Sequence, residues 1–341
     1  MAETMRTWHY SAIEGRLEDC LILKDDEPIP EVSALAKDEL IVEVISASLN
    51  PADYKVPETA YMGALLISRP ATPSMDFAGR VVGKHPTVTS FVVGQLVFGG
   101  YPGITQKGVL RERIVISTAN CAALPAGVDV DHAAAVGTAA TTAYESLLPG
   151  KLKPGAKVFV NGGSGGTGTW CIQFAKIIGA EVVTTCSARN AELCRSLGAE
   201  EVIDYTKEDV TANLKARGQV FDLVIDNIGS NTALYDNCSH YLKPSGAFTQ
   251  VGVGASMTFA GTLLTLTKQL RPTILGYRPF YFIHMNNTAN LFIRIGDWMK
   301  NKNAKAVIDS TFAFEDVPAA FQKLREGRAR GKIIIHVGAG H

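Results

Sequence analysis

Val158-Phe159-Val160-Asn161-Gly162-Gly163-Ser164-Gly165-Gly166-Thr167-Gly168 is an apolar strand that feeds straight into a glycine corner. Gly163, Gly165 and Gly168 carry the spacing G-x-G-x-x-G at a strand-to-helix turn. In that spacing the first glycine permits the tight turn, the second lets a pyrophosphate approach the backbone, and the third lets the helix pack closely on the strand. The N-terminus of the following helix offers free N–H groups and a positive dipole end to the phosphates. The run Gly163, Ser164, Gly165, Gly166, Thr167 and Gly168 is therefore expected to cradle a dinucleotide.

The periodicity around this corner is that of alternating strands and helices. Trp170, Ile172, Phe174, Ala175, Ile177 and Ile178 fall mostly along one helical stripe, and Gly179 stands where a left-handed cap ends a helix. Glu181 to Cys186 reads as the next strand, and a helix runs from about Asn190, a candidate N-cap, to Leu197, with Gly198 stopping it. Glu201 to Tyr205 and the apolar run Phe221 to Asp226 supply further strands, the latter suited to burial on both faces. Short strands joined by helices predict a doubly wound parallel sheet.

The chain has 341 residues, more than one core usually organises, so two domains are expected. Lys plus Arg and Asp plus Glu balance at 33 each, which argues against a nucleic-acid partner. Met1 to Arg6 is polar and no apolar run is long enough for a bilayer, so no membrane association is expected and a cytoplasmic enzyme fits. Cys20, Cys121, Cys171, Cys186, Cys194 and Cys238 include no C-x-x-C pair and read as free thiols. Before Leu124-Pro125-Ala126-Gly127 the texture changes: Leu40 to Ile45 and Phe77 to Val82 are short strands between Gly and Pro turns, a mostly β pattern. Asp131 to Leu148 reads as helical. The end of the chain returns to the first pattern, with a helix around Phe321 to Arg325, a break at Gly331 and a strand at Ile333 to Ile335. The expected division is 1–127 with 280–341, and 128–279 between them.

Leu49-Asn50-Pro51-Ala52-Asp53-Tyr54-Lys55, Asp76-Phe77-Ala78-Gly79, Gly94 to Phe98, Ala134 to Thr138 with Thr142-Ala143-Tyr144, the glycine corner and Gly331-Lys332-Ile333 together resemble the medium-chain dehydrogenase/reductase superfamily over nearly the full length. The resemblance implies an α/β protein: a GroES-like, mostly-β catalytic domain plus a Rossmann domain, with the active site in the cleft between them. Zinc-dependent members carry a cysteine near the Asn50–Asp53 region and a G-H-E motif where this chain reads Ser74-Met75-Asp76, and they carry a four-cysteine loop that is missing here. Zinc needs three or four N, S or carboxylate ligands, and the seven histidines, His9, His85, His132, His240, His284, His336 and His341, are scattered. No metal is expected. The zinc-independent branch includes quinone oxidoreductases, enone reductases and fungal trans-acting enoyl reductases that serve polyketide synthases, and Asn50 to Lys55 is most similar to the last group and to quinone-reductase-like proteins.

A dinucleotide site selective for NAD places an Asp or Glu about 20 residues past the glycines. Here that region reads Thr184 to Asn190, with no acid before Glu192. Ser187 and Arg189 suit a 2′-phosphate, arginine through charge-assisted pairing, the alternative being a solvated Arg189 and a surface Tyr205. Tyr205 resembles a tyrosine near that phosphate in NADPH-using relatives. NADPH is the expected cofactor. Position outside the carboxyl ends of the strands nominates Asn227, Gly229, Val251 and Gly252 as further contacts. By resemblance Phe280, Tyr281 and Phe282 border the nicotinamide, the alternative being ordinary aromatic packing.

Without a Lewis acid, hydride addition to a conjugated C=C bond or a quinone is the simplest chemistry, and the developing enolate or quinolate oxygen needs hydrogen-bond donors. Tyr54, Lys55 and Thr138 are the candidates, with Asn50 and Thr142 orienting cofactor and substrate. Lys55 alternatively contacts cofactor phosphate or water. The expected substrate is a small enone, quinone or enoyl thioester, with a carrier protein or polyketide synthase as a conceivable partner and a monomer or homodimer as the assembly. The competing expectation is a protein that binds NADPH without meaningful turnover and serves a structural or partner-binding role.

Overall fold

The structure is a computed structural model that describes residues 3–59, 62–103, 105–252, 261, 265, 267–273, 276–283 and 285–338. The chain divides into two compact units, Met1–Thr141 with Met285–His341, and Thr142–His284. The first junction therefore falls inside the helix Gly137–Leu147, later in the chain than the 127/128 boundary expected from the Pro-Gly turn, and the second falls after 284 instead of after 279. The physical reason is local: the helix Val130–Ala134 packs on strands of the first unit and carries its flanking residues with it. The expected single helix over Asp131 to Leu148 is accordingly two, interrupted at Ala135 and Val136.

The first unit is built on strands β1 (Thr4–His9), β2 (Ile22–Pro28), β3 (Glu39–Leu49), β4 (Asp76–Lys84), β5 (Leu96–Gly100), β6 (Arg113–Ser117), β7 (Cys121–Ala123), β14 (Ile308–Ala313) and β15 (Lys332–His336). β1 and β2 form a separate antiparallel pair. The remaining seven lie in one sheet ordered β14-β15-β3-β4-β5-β7, with β6 also on β3. Leu40, Val42, Val44, Ala47, Phe77, Ala78, Val81, Val97 and Phe98 are fully buried apolar side chains on its central strands. The C-terminal return is therefore structural, since β15 pairs antiparallel with β3 near the centre of the sheet.

The second unit has six strands, β8 (Lys157–Asn161), β9 (Glu181–Cys186), β10 (Glu201–Asp204), β11 (Phe221–Asp226), β12 (Leu242–Gln250) and β13 (Phe280–Phe282). All pairings are parallel, in the order β10-β9-β8-β11-β12-β13. That is the 3-2-1-4-5-6 order of a dinucleotide-binding fold, with its switch point between β8 and β11. Val158, Phe159 and Val160 of β8 and Leu223, Val224 and Ile225 of β11 have no exposed surface, as expected of central strands covered on both faces. Among the described residues no helix is long and apolar enough to cross a membrane. All six cysteines are free, five of them buried.

The glycine corner distributes its work differently from the simple reading of the motif. The left-handed turn residue is Gly162, at φ +81°, and not Gly163. Gly163 is needed for another reason: a Cβ there would lie 2.1 Å from the Thr184 Oγ1 of the neighbouring strand β9. At Gly168 a Cβ would sit 2.1 Å from the Gly162 carbonyl oxygen, so this glycine sets the approach of the helix Gly166–Ile178 to the turn. Gly165, the N-cap, unlike Gly162, Gly163 and Gly168, opens on free space, its Cβ position meeting nothing nearer than the Gly162 carbonyl oxygen at 3.6 Å.

Gly168→Ala is expected to destabilise the protein by about 1–3 kcal/mol through overpacking against backbone that cannot rotate away. Gly165→Ala should cost at most about 1 kcal/mol, the difference between glycine and alanine as N-caps. Denaturant titrations of both variants check this, and equal losses would contradict the packing account.

Candidate functional site

In the second unit the carboxyl ends of β8, β9 and β11 are joined by a chain of polar side chains. Gly162 N–H donates to Thr185 Oγ1 (2.8 Å), Thr185 Oγ1 to Asn161 Oδ1 (2.7 Å), and Asn161 Nδ2 to Asp226 Oδ1 (2.8 Å). Asp226 Oδ1 also receives the backbone N–H groups of Ile228 and Gly229, each at 3.0 Å. The parallel register that pairs Asp226 with Asn161 makes this possible. The network holds the two loops on either side of the switch point in fixed positions. Sequence reasoning passed over Asn161, Thr185 and Asp226; the signal was their place as the last polar residues of otherwise apolar strands.

The nominated cofactor residues lie along this edge. Ser164, Gly165, Gly166 and Thr167 keep part of their surface open while Gly163 and Gly168 are buried. Gly229 has φ +61°, and a Cβ there would meet the Gly252 carbonyl oxygen at 2.0 Å, so the loops after β11 and β12 touch backbone to backbone. Val251 N–H is tied to the Asp226 carbonyl oxygen (2.9 Å). Asn227 donates its amide to the Asn161 carbonyl oxygen (3.1 Å), which leaves its Oδ1 buried without a partner among the described residues. Asn190 is in the same condition: it does not cap its helix, its Nδ2 donates to Ser164 Oγ (3.1 Å), and its Oδ1 is buried and unpartnered. Two inward acceptors flanking the glycine corner are an unfinished hydrogen-bond set, and buried polar atoms of that kind ordinarily have partners.

Ser187 is half-buried after β9, while Arg189 and Tyr205 are exposed. A carboxylate absent from the segment after β9 is supplied by the next strand, since Asp204 of β10 pairs in register with Cys186. It accepts from Thr206 N–H (3.0 Å) and Oγ1 (2.7 Å), which hold it below the usual carboxylate range. Phe280 is packed in the core, 4.8 Å from Tyr235 and stacked at 5.8 Å on Phe248, so packing accounts for it; Phe282 borders that core and Tyr281 faces outward. Thr142 is buried in the helix Gly137–Leu147 and its carbonyl oxygen accepts from Ser146.

In the first unit, sheet register gathers a second polar cluster. β3 pairs Ser48 with Asp76, and β15 pairs Ile333 with Leu49, so Lys332, Asn50 and Asp76 converge where three strands end. Lys332 Nζ donates to Asn50 Oδ1 (2.5 Å) and the Leu49 carbonyl oxygen (3.0 Å) and lies 3.5 Å from Asp76 Oδ2. Asn50 Nδ2 donates to Asp76 Oδ2 (2.8 Å). Asp76 Oδ1 accepts from both the backbone N–H and the Oγ1 of Thr138, each at 2.8 Å, an approach that requires Gly137, whose Cβ would lie 2.2 Å from that oxygen. Asp76, Asp53, Asn50 and Lys332 are all buried. Lys332 belongs to the Gly331-Lys332-Ile333 motif, and its signal in the sequence is an ammonium opening an otherwise apolar strand.

This arrangement changes the reading of two nominated residues. Thr138 has one hydroxyl hydrogen, and with that hydrogen on Asp76 and Met285 Sδ 3.1 Å away, it presents lone pairs and not a donor. Asn50 spends its side chain on Lys332 and Asp76. Tyr54 and Lys55, on the helix Pro51–Lys55, are half-buried. The Tyr54 hydroxyl makes no hydrogen bond among the described residues, and burial raises its pKa; burial also lowers that of Lys55. The Asp53 carboxyl, without contact to water, is pushed up to about 8, chiefly by burial and further by Asp76, while the Asn50 N–H and Lys332 oppose the shift. Among the described residues no group of three or more His, Cys, Asp or Glu is placed to hold a metal ion; His284 and His341 lie outside them.

Residues 36–126 match the family described as alcohol dehydrogenase GroES-like domain, and residues 197–335 that described as zinc-binding dehydrogenase. The chain is 41% identical over 346 residues to the trans-enoyl reductase pgmF of Aspergillus terreus, covering 98% of this chain and 96% of the relative. It is 30% identical to the 2-methylene-furan-3-one reductase of Solanum lycopersicum, over 97% of this chain and 79% of the other. Among solved structures it is similar to the quinone oxidoreductase of Coxiella burnetii, with a TM-score of 0.83 and 26% identity over 98% and 100% of the two chains.

A buried carboxyl whose folded value lies near 8, against an ordinary 3.8, favours folding fully below its unfolded value and loses that contribution as pH rises to about 8. Asp53→Asn keeps an acceptor for the Asn50 N–H and removes the titration. Its melting temperature should fall less than that of the wild type between about pH 5 and 8. Parallel pH curves for the two proteins would show that Asp53 does not titrate there.

Proposed function

We propose that this chain, which belongs to the medium-chain dehydrogenase/reductase superfamily and within it to the enoyl- and quinone-reductase type, reduces an activated C=C bond or a quinone with NADPH and without zinc. That membership makes it an oxidoreductase that uses a nicotinamide cofactor and a small-molecule substrate. The observation that carries the proposal is the glycine corner: a backbone cradle at Gly165 that a Cβ would fill, flanked by the unpartnered acceptors of Asn190 and Asn227. The first suits a pyrophosphate and the other two suit ribose or amide donors, so the residues present fit a dinucleotide. In this reading Ser164, Gly166 and Thr167 line the phosphates, and Gly229, Val251 and Gly252 border the nicotinamide half. Ser187, Arg189 and Tyr205 take the 2′-phosphate; Asp204 gives one carboxylate oxygen to Thr206 and keeps the other unpartnered among the described residues.

Zinc does not fit. The carboxylate in the Ser74-Met75-Asp76 segment is saturated by Thr138, Asn50 and Lys332, and among the described residues no thiolate or imidazole joins it in a group that could hold a metal ion. When bound, the reduced nicotinamide supplies a hydride to the electrophilic carbon of the substrate. The chain must then stabilise an enolate or quinolate oxygen and deliver a proton. With the Thr138 hydrogen directed to Asp76, Tyr54 and Lys55 are left to do so, while Thr138 offers an acceptor that orients a donor on cofactor or substrate. Burial serves Lys55 in this role, because an ammonium with a lowered pKa gives up its proton more readily.

NADPH oxidation with a panel of enones, quinones and short enoyl thioesters, in the presence of a chelator, tests the proposal. Turnover with at least one class is expected. NADPH binding with no turnover across the panel would favour a non-catalytic role. On the responsive substrate, Tyr54→Phe and Lys55→Met are expected to slow the step after NADPH saturation by about 10²- to 10⁴-fold. Wild-type stopped-flow rates in both would remove the helix Pro51–Lys55 from the chemistry. Arg189→Ala should weaken NADPH about tenfold or more and NADH hardly at all, the loss of a charge-assisted bond to the phosphate. Titration calorimetry with the two cofactors reads this directly, and an equal effect on both would assign the phosphate elsewhere.

A further inference from the structure

Arg325 closes the helix Val317–Arg325 and reaches three side chains far from it in sequence. Its Nε and Nη2 hold Glu18 as a two-pronged pair at 2.8 and 2.6 Å, and its Nη1 and Nη2 hold Glu58 at 3.1 and 2.5 Å. Glu58 Oε1 also accepts the Leu17 N–H (2.8 Å), which fixes that carboxylate independently. The in-plane N–H groups are thus almost fully occupied by carboxylates. The flat face of the guanidinium is occupied by Tyr54, whose ring centroid lies 4.3 Å from the central carbon.

The phenol has no other anchor at its polar end, since its hydroxyl makes no hydrogen bond among the described residues. Glu58 N–H donates to the Tyr54 carbonyl oxygen (3.2 Å), so Tyr54 and Glu58 sit one turn apart on the same backbone segment and the guanidinium grips both. We propose that Arg325 is a positioning residue for Tyr54: its plane, pinned by Glu18 and Glu58, fixes the phenol ring and leaves the hydroxyl open to the substrate oxygen. This rests on the part assigned to Tyr54 above. Burial raises the phenol's pKa most, with Glu58 and Glu18 adding to that direction and Arg325 opposing it, so the hydroxyl held by this contact keeps its proton to give. A lysine would keep the charge between the glutamates but has no planar face to lay against the ring.

The test is a cycle of Tyr54→Phe, Arg325→Lys and the double variant, with turnover measured at saturating NADPH and ring resonances of Tyr54 recorded in the protein without cofactor. Arg325→Lys is expected to cost about tenfold in kcat in the wild-type background, where orientation of a reacting group is at stake. It should cost less than about twofold once the hydroxyl is gone, because the two changes then act on one element. The Tyr54 ring resonances should shift. Should the lysine variant keep wild-type turnover, Arg325→Met combined with Glu18→Gln removes the cation without stranding a buried carboxylate, and wild-type turnover there too would overturn the proposal. Equal losses in the two backgrounds, or unmoved ring resonances, would also overturn it and leave Arg325 as a staple between helices. Wild-type turnover in Tyr54→Phe alone, read without any Arg325 variant, would instead defeat the role of Tyr54 itself.

Discussion

The ammonium of Lys332, buried where β15, β3 and β4 end together, is the constraint on which the first unit depends. Its neighbours are the Leu49 carbonyl oxygen, the Asn50 side chain and the Asp76 carboxylate, and each of those belongs to a different part of the local architecture. Removing one partner of such a buried pair commonly costs about 3–5 kcal/mol, because the other charge is left without water or counter-charge. The cost is also positional. Asp76 holds the N–H and hydroxyl of Thr138, and Asn50 opens the helix that carries Tyr54 and Lys55, so one cation fixes both ends of the candidate chemistry in this unit.

The same helix is held from two other directions. Gln106, at a left-handed φ of +52°, donates its amide to the Asp53 carbonyl oxygen (2.7 Å) and accepts from the Tyr10 hydroxyl, a buried position where a non-glycine residue tolerates strain because its side chain is fully used. Arg325 holds Tyr54 from the other side. Five residues of helix are thus restrained by Lys332, Gln106 and Arg325, whose own chain positions span most of the sequence. Rigid support of this kind is what a reacting group needs if it is to hold a geometry that its short helix cannot impose alone.

The six-stranded parallel sheet was legible from the glycine corner and the alternation of apolar runs, because buried parallel strands and their helices write strong periodicities. What could not be read were relations between strands. That Thr184 occupies the space a side chain at Gly163 would need, that Asp204 lies beside Cys186, and that Thr138 gives its only hydrogen to Asp76 all follow from register and from side-chain direction. Phe280, nominated for the cofactor, is accounted for in the core because β13 faces Tyr235 and Phe248, a fact of sheet order. Asn190 looked like a helix cap and is one only by position, its side chain being turned to Ser164.

The first unit is interrupted in sequence by the whole of the second, and β14 and β15 return only after residue 284. On the ribosome, residues 142–284 emerge while Asp76 and Asn50 still wait for a lysine more than 250 residues downstream of both. Domains commonly fold as they emerge, so the nucleotide-type sheet has everything it needs well before the sheet that begins the chain. Until β15 arrives, the half of β3 from Ser46 to Leu49 presents an open edge and the Asp76 carboxylate lacks its counter-charge, the kind of unpaired edge that makes a partly made chain prone to aggregate.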